Sequence, residues 1–97
     1  MWGIEPSRMC QQHLLGEHVE LHMMVGTLRK GISMKGYYAK GLVDTSLIVS
    51  RHEALVVEMQ ARGMRHQSPL PEFIDPGQGF IDPGSAAELL RRCGECR

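Results

Sequence analysis

The segment Gln12–His22, reading Q-H-L-L-G-E-H-V-E-L-H, sets three histidines and two glutamates among leucines. Imidazoles and carboxylates are the side chains that move protons near neutral pH, so this density points to acid–base chemistry. At 3.6 residues per turn, His13, Glu17, Glu20 and Met24 fall in a narrow sector of one helix face. Cys10, Leu14, Leu21, Val25 and Leu28 occupy the adjoining sector. An acid–imidazole stripe therefore borders an apolar face, where a core meets a cleft and a carboxylate can be partly desolvated. The same spacing also describes a helix with an ordinary polar flank, and spacing alone does not choose between the two.

The elements that must position this stripe are marked by helix punctuation. Pro6-Ser7 ahead of periodic apolar residues predicts a first helix over about 7–30, with Ser7 as N-cap. Arg29 and Lys30 complement its C-terminal dipole, and Gly31 is poised to cap it. Gly16 inside this helix costs about 1 kcal/mol relative to Ala. Next to Glu17, its missing side chain leaves a gap through which another backbone or a ligand can come close, although simple tolerance explains it equally well. Residues 31–45 have weak periodicity and read as a loop. Within it, Lys35 and Lys40 flank Tyr37 and Tyr38, types that contact phosphates and stack on bases but are also ordinary on connections.

A second helix is predicted over about 46–62, where Ile48, Leu55, Val56 and Met59 recur at helical spacing and can pack on the first. Ser50 and Glu53 match a capping box, which would start it four residues later. Arg62, Arg65 and His66 then form either a phosphate-binding corner or a charge complement to the helix C-terminus. The tail repeats Phe-Ile-Asp-Pro-Gly at 73–77 and 80–84. Each Asp-Pro-Gly favours a tight turn, and each Phe-Ile pair can dock as an apolar foot. Ser85-Ala86-Ala87-Glu88 is a capping-box signature for a short helix over about 85–93. The expected fold is all-α: a small bundle of two long helices and one short one. A helical domain spans 1–70 and a turn-rich tail spans 71–97.

Eleven basic and eleven acidic residues give zero formal charge, which argues against a protein that coats nucleic acid indiscriminately. The charge is uneven: residues 1–67 carry eight Lys/Arg against six Asp/Glu, and residues 68–97 carry three against five. Any polyanion should meet the front of the chain. No apolar run approaches the roughly 18 residues of a membrane span and nothing resembles a signal peptide, so a cytoplasmic setting is expected. Cys93 and Cys96 are half of a possible zinc site, with two further ligands needed. His18-Val19-Glu20 with Cys93-x-x-Cys96 echoes zinc nucleobase deaminases poorly, since Arg92 stands where a proline belongs. His18 and His22 are four residues apart but do not spell H-E-x-x-H. The expectation is no metal, no cofactor and two unliganded thiols frayed at the terminus.

Gln12-His13-Leu14-Leu15-Gly16-Glu17-His18-x-Glu20-Leu21-His22 resembles the first-helix motif of the pyrimidine-dimer DNA glycosylase family, the endonuclease V type known from phages. Arg51-His52-Glu53-x-Leu55-Val56-x-Glu58-Met59-x-x-Arg62-Gly63-x-x-His66-x-Ser68-Pro69-Leu70 is similar to the second-helix block of its small members. The opening Met1-Trp2-x-Ile4-x-Pro6 matches them as well, so the resemblance covers about residues 1–70.

This resemblance implies an all-α fold in which the N-terminus enters between two helices and reaches the active site. It implies a DNA repair endonuclease whose α-amine attacks deoxyribose C1′, displaces a damaged base and forms an imine, with lyase cleavage by β-elimination. Trp2 is too bulky for ordinary removal of Met1, so the amine is that of Met1. α-Amines titrate far below lysine, which leaves a useful neutral fraction at physiological pH. Glu20 matches the catalytic glutamate and His13 the family's histidine earlier on the same helix face. Candidate nucleic-acid contacts are Glu17, Arg29, Lys30, Lys35, Tyr37, Lys40, Arg51, Arg62, Arg65 and His66. The implied partner is double-stranded DNA carrying a dimer or similar lesion, bent so that a nucleotide is extruded. Val19 and Met23 stand where the family is commonly basic. With zero net charge, they favour the alternative of a non-catalytic DNA- or protein-binding module that keeps the fold.

Overall fold

A computed structural model describes residues 1–65 and 68–96. After a 3-10 turn at Pro6–Arg8 come α1 (Gln11–Arg29), α2 (Lys35–Ala39) and β1 (Leu42–Asp44). A second 3-10 turn, Thr45–Leu47, leads into α3 (Ile48–Ala61), followed by β2 (Gly79–Ile81) and α4 (Ser85–Arg92). The all-α expectation is therefore corrected. The described residues hold four helices and a small antiparallel sheet, in which Leu42 faces Ile81, Val43 faces Phe80 and Asp44 faces Gly79.

Three-residue strands explain the miss, because they are too short for a period-2 alternation to show. β2 also lies across a repeat whose Asp-Pro-Gly turns dominate its reading. Gly79 sits at φ +87, where a Cβ would overlap the Val43 carbonyl, so the sheet itself demands glycine there. Buried Thr45 continues the pairing: its N–H and hydroxyl both donate to the Gln78 carbonyl, at 3.0 and 3.2 Å.

α1 starts at Gln11 rather than near Ser7, and Cys10 is its N-cap, with the sulfur accepting from the His13 N–H. The physical reason lies on α3. Arg62 Nη2 donates to the carbonyls of Pro6, Ser7 and Met9, at 3.1, 3.4 and 2.6 Å, so Pro6–Arg8 forms a separate turn under that guanidinium. The other end of α1 closes as expected. Gly31, at φ +69, donates to Leu28 O while Ile32 donates to Thr27 O, the paired bonds of a Schellman cap. α3 begins at Ile48 after Asp44 accepts from the Ser46 N–H at 3.0 Å. The Ser50 hydroxyl donates to Leu47 O and makes no capping box.

Leu14, Leu21 and Val25 of α1 pack with Ile48, Leu55 and Met59 of α3, all essentially inaccessible. Each such side chain contributes about 1.5–3 kcal/mol by leaving water. Val43, Leu89 and Cys96 join the same cluster, so β1 and the tail share the core of α1 and α3. The two repeat copies diverge. Phe73 and Ile81 pack against the core, whereas Ile74 is 90% and Phe80 50% exposed. One apolar residue of each pair docks, and not the same one: Phe80 and Ile81 lie on β2, whose pleat turns them to opposite sides, while Phe73 and Ile74 lie outside either strand. Asp75 and Asp82 each accept from the glycine N–H two residues on, at 2.8 Å, but a backbone turn closes only at the second Asp-Pro-Gly, where Ser85 N–H donates to the Asp82 carbonyl at 2.9 Å.

Candidate active site

The first nitrogen of the chain lies between α1 and β1. Met1 N donates to Glu20 Oε1 at 3.1 Å and to the Leu42 carbonyl at 2.9 Å, while the Met1 side chain is buried in the core. This position follows from the residues behind it. Gly3 turns the chain at φ +70, Ile4 is buried, and Pro6 opens the turn that Arg62 grips. Trp2 N donates to Glu17 Oε1 at 3.4 Å.

Arg51 is the centre of the clasp. Its Nε and Nη2 donate to the two oxygens of Glu17, at 2.5 and 3.1 Å, and its Nη1 donates to the Ile4 carbonyl at 2.6 Å. The Glu17 side chain is fully inaccessible. A bidentate guanidinium is the geometry that makes a buried carboxylate tolerable. Arg51 and Arg62 are eleven residues apart, close to three helical turns, and so both reach the N-terminal segment from one face of α3. Both were expected among the DNA contacts together with Glu17. In the fold Arg51 bonds to Glu17, the Ile4 carbonyl and, at 3.2 Å, the Met9 sulfur, while Arg62 bonds to the N-terminal backbone and to Glu58 at 2.8 Å.

A groove of about 320 Å³ opens beside Glu20, the residue whose carboxylate meets the amine, and is lined by Trp2, Gln12, His13, Gly16, Glu17 and Glu20. Gly16 has open space where a side chain would stand, so its gap widens this groove. Glu20 keeps about half of its side chain exposed. An amine donating to a carboxylate, with a Leu42 carbonyl opposite and an open groove alongside, can deliver a nucleophile to a carbon placed there. The carboxylate can then take up and return its protons. A larger groove of about 820 Å³ runs between α3 and residues 69–73 but shares no lining residue with the first.

The remaining expected contacts are spread over the surface. Arg29 and Lys30 are exposed at the end of α1, and Lys35 and Tyr37 are exposed on α2. Lys40 is exposed just ahead of the strand that holds the amine. Arg65 is exposed and borders a smaller groove with His18, His22 and Ser68. His66 falls outside the described residues.

Among the described residues, two clusters have the donor atoms for a metal ion. His18, His22 and His52 bring their rings together, with centroids 4.8 to 5.3 Å apart. Cys10, His13, Cys93 and Cys96 converge where the start of α1 meets the end of α4. Cys96 is 3% exposed, which corrects the expectation of frayed terminal thiols. Burial pushes its thiol up to about 11, while the Glu95 backbone N–H draws the Cys93 thiol down. Cys10 and the Leu42 carbonyl were missed in sequence. A carbonyl leaves no trace in a side-chain pattern, but Cys10-x-x-His13 has the same spacing as Cys93-x-x-Cys96 and could have been found.

Among the described residues, no helix is long and apolar enough to cross a membrane. A family model described as pyrimidine dimer DNA glycosylase matches residues 1–72. Neither the curated proteins nor the solved structures compared with the chain gave a match.

Proposed function

Because the chain belongs to the pyrimidine dimer DNA glycosylase family, we propose that it excises a damaged base through an imine formed by the Met1 α-amine and then cuts the strand as a lyase. The observation that carries this reading is the Met1 nitrogen, 3.1 Å from Glu20 Oε1 at the edge of an open groove. In the first step Glu20 accepts a proton from the ammonium group, and the freed lone pair attacks C1′ of an extruded nucleotide. The C1′–N bond breaks and the base leaves with its electron pair, taking a proton from solvent or Glu20. Ring opening passes the second amine proton to O4′ by way of Glu20 and leaves a C1′=N imine. Loss of a C2′ proton then expels the 3′ phosphate by β-elimination, and water releases the amine. No step calls on a metal or an external electron carrier.

The other residues support that geometry. Glu17 and Arg51 hold the N-terminal segment, and the exposed Lys35, Tyr37 and Lys40 lead into the strand whose Leu42 carbonyl orients the amine. His13 turns its ring edge to Trp2, with centroids 6.0 Å apart and planes at 85°, while its Nδ1 faces sulfur. We give it the part of a wall of the groove rather than a proton carrier. Double-stranded DNA containing a dimer is the substrate to test. Scission of one glycosidic bond of the dimer, the base staying joined to its neighbouring pyrimidine until photoreversal frees it, together with a nicked strand, is expected from dimer-containing duplex and not from undamaged duplex. Tight binding of both duplexes with neither product would favour the non-catalytic module.

Alanine at Lys35, Lys40 or Arg65 singly should weaken DNA binding evenly across sequences. Each should lower the slope of log K against log salt by about one unit, because each releases about one counterion less. Fluorescence anisotropy over a salt series measures this, and unchanged slopes would put the DNA on another face.

A further inference from the structure

We propose that Cys10, His13, Cys93 and Cys96 form a closed, tetrahedral zinc site that staples the C-terminal helix to the start of α1. The four donor atoms, three Sγ and His13 Nδ1, all lie within 4.8 Å of one another. Zinc–sulfur bonds of about 2.3 Å and zinc–nitrogen bonds of about 2.0–2.1 Å place tetrahedral S···S neighbours about 3.8 Å apart and S···N neighbours about 3.5 Å apart. Cys10 and Cys93 sulfurs are 3.9 Å apart, and His13 Nδ1 lies 3.6 Å from Cys96 sulfur and 3.1 Å from that of Cys10. The three cysteines are free thiols.

The backbone around them is arranged as a metal site requires. Cys10 N–H donates to Cys96 sulfur at 3.1 Å and His13 N–H donates to Cys10 sulfur at 3.5 Å. Such N–H groups stabilise negative charge on thiolates, the form in which cysteine binds a metal. Soft thiolates with one imidazole select zinc among common divalent ions, and four protein ligands leave no position for substrate. The site is therefore structural.

Its place in the fold gives it a purpose. α4 has eight residues, too short to persist without a partner. Residues 93 and 96 lie beyond the region shared with the family, so the tail brings half of the site itself. His13, one ligand, packs edge-on against Trp2, and both line the groove beside the amine. Zinc would then fix the tail and one wall of that groove together, whatever reaction the groove performs.

The test is elemental analysis of the full chain purified without a histidine tag or chelator. About one zinc per chain is expected, lost in the Cys93→Ser/Cys96→Ser double variant and kept in His22→Ala. Chelation should lower Tm by roughly 10 °C or more. Cobalt exchanged into the unmutated chain should give the intense tetrahedral d–d bands and thiolate charge-transfer band of a sulfur-rich site, a readout that does not depend on the variant folding. Metal-free protein with no cobalt spectrum, an intramolecular disulfide in place of the metal, or zinc lost with His22→Ala but kept without the two cysteines would overturn the proposal.

Discussion

Glu20→Gln should slow base excision by about 10²–10⁴-fold, the usual worth of a positioned proton carrier. Fold stability should stay within about 0.5 kcal/mol, as for surface changes away from buried features. The asymmetry follows from where the side chain stands. Glu20 is half exposed and its hydrogen bond goes to the Met1 amine, so an amide can still accept that bond and the groove keeps its shape. What the amide lacks is a site that takes up a proton at neutral pH, and so the amine loses its base and the sugar oxygen its acid. Single-turnover rates on dimer-containing duplex, with thermal melting followed by circular dichroism, check both halves. Wild-type rates in Glu20→Gln would move the proton carrier elsewhere, and a collapsed melting temperature would make Glu20 structural.

Arg51→Met should act in the opposite sense and destabilise the fold by about 3–5 kcal/mol, the cost of leaving a buried carboxylate unpaired. A domain of this size loses about 4–8 °C of Tm per kcal/mol, so the change should exceed roughly 12 °C. The reason is that the Glu17 side chain is inaccessible and both of its oxygens take bonds from this one guanidinium, which also holds the Ile4 carbonyl. Methionine keeps much of the length and removes the charge. Adding Glu17→Gln should recover part of the loss by removing the orphaned charge, a coupling that a double-mutant cycle in urea isolates. A loss below about 1 kcal/mol in Arg51→Met would show that water or another cation reaches Glu17, and that the clasp is not what holds the N-terminus.

The apolar faces of α1 and α3, the Gly31 cap and the turn at Asp82-Pro83-Gly84 were legible because each is a local pattern with a local cause. Leu14, Leu21 and Val25 are buried at the spacing that marked them. The acid stripe was legible as a stripe but not as two roles. Glu17 and Glu20 are one turn apart on the same helix face, yet one is sealed beneath Arg51 and the other opens to the groove. That difference is made by α3 and the N-terminal segment, which no helical wheel of α1 contains. The short sheet was hidden for the same reason, since Leu42–Asp44 pairs with residues nearly forty positions away. Arg51 and Arg62 stood among the candidate DNA contacts; what the sequence did not show is that the fold gives Arg51 the Glu17 carboxylate and both of them N-terminal carbonyls. Cys10-x-x-His13 and Cys93-x-x-Cys96 were each legible as a ligand pair, but only the packing of α4 beside α1 brings the two pairs together.

In the proposed reaction the covalent bond to the sugar is formed by the α-nitrogen of Met1, a step that borohydride can trap. It is tested most directly by borohydride reduction during turnover of dimer-containing or abasic duplex, followed by proteolysis and mass spectrometry of the trapped chain. A single reduced adduct on the amine of the N-terminal peptide is expected, absent when that amine is acetylated. An adduct on Lys35, Lys40 or another lysine, or full strand cleavage by the acetylated chain, would contradict it.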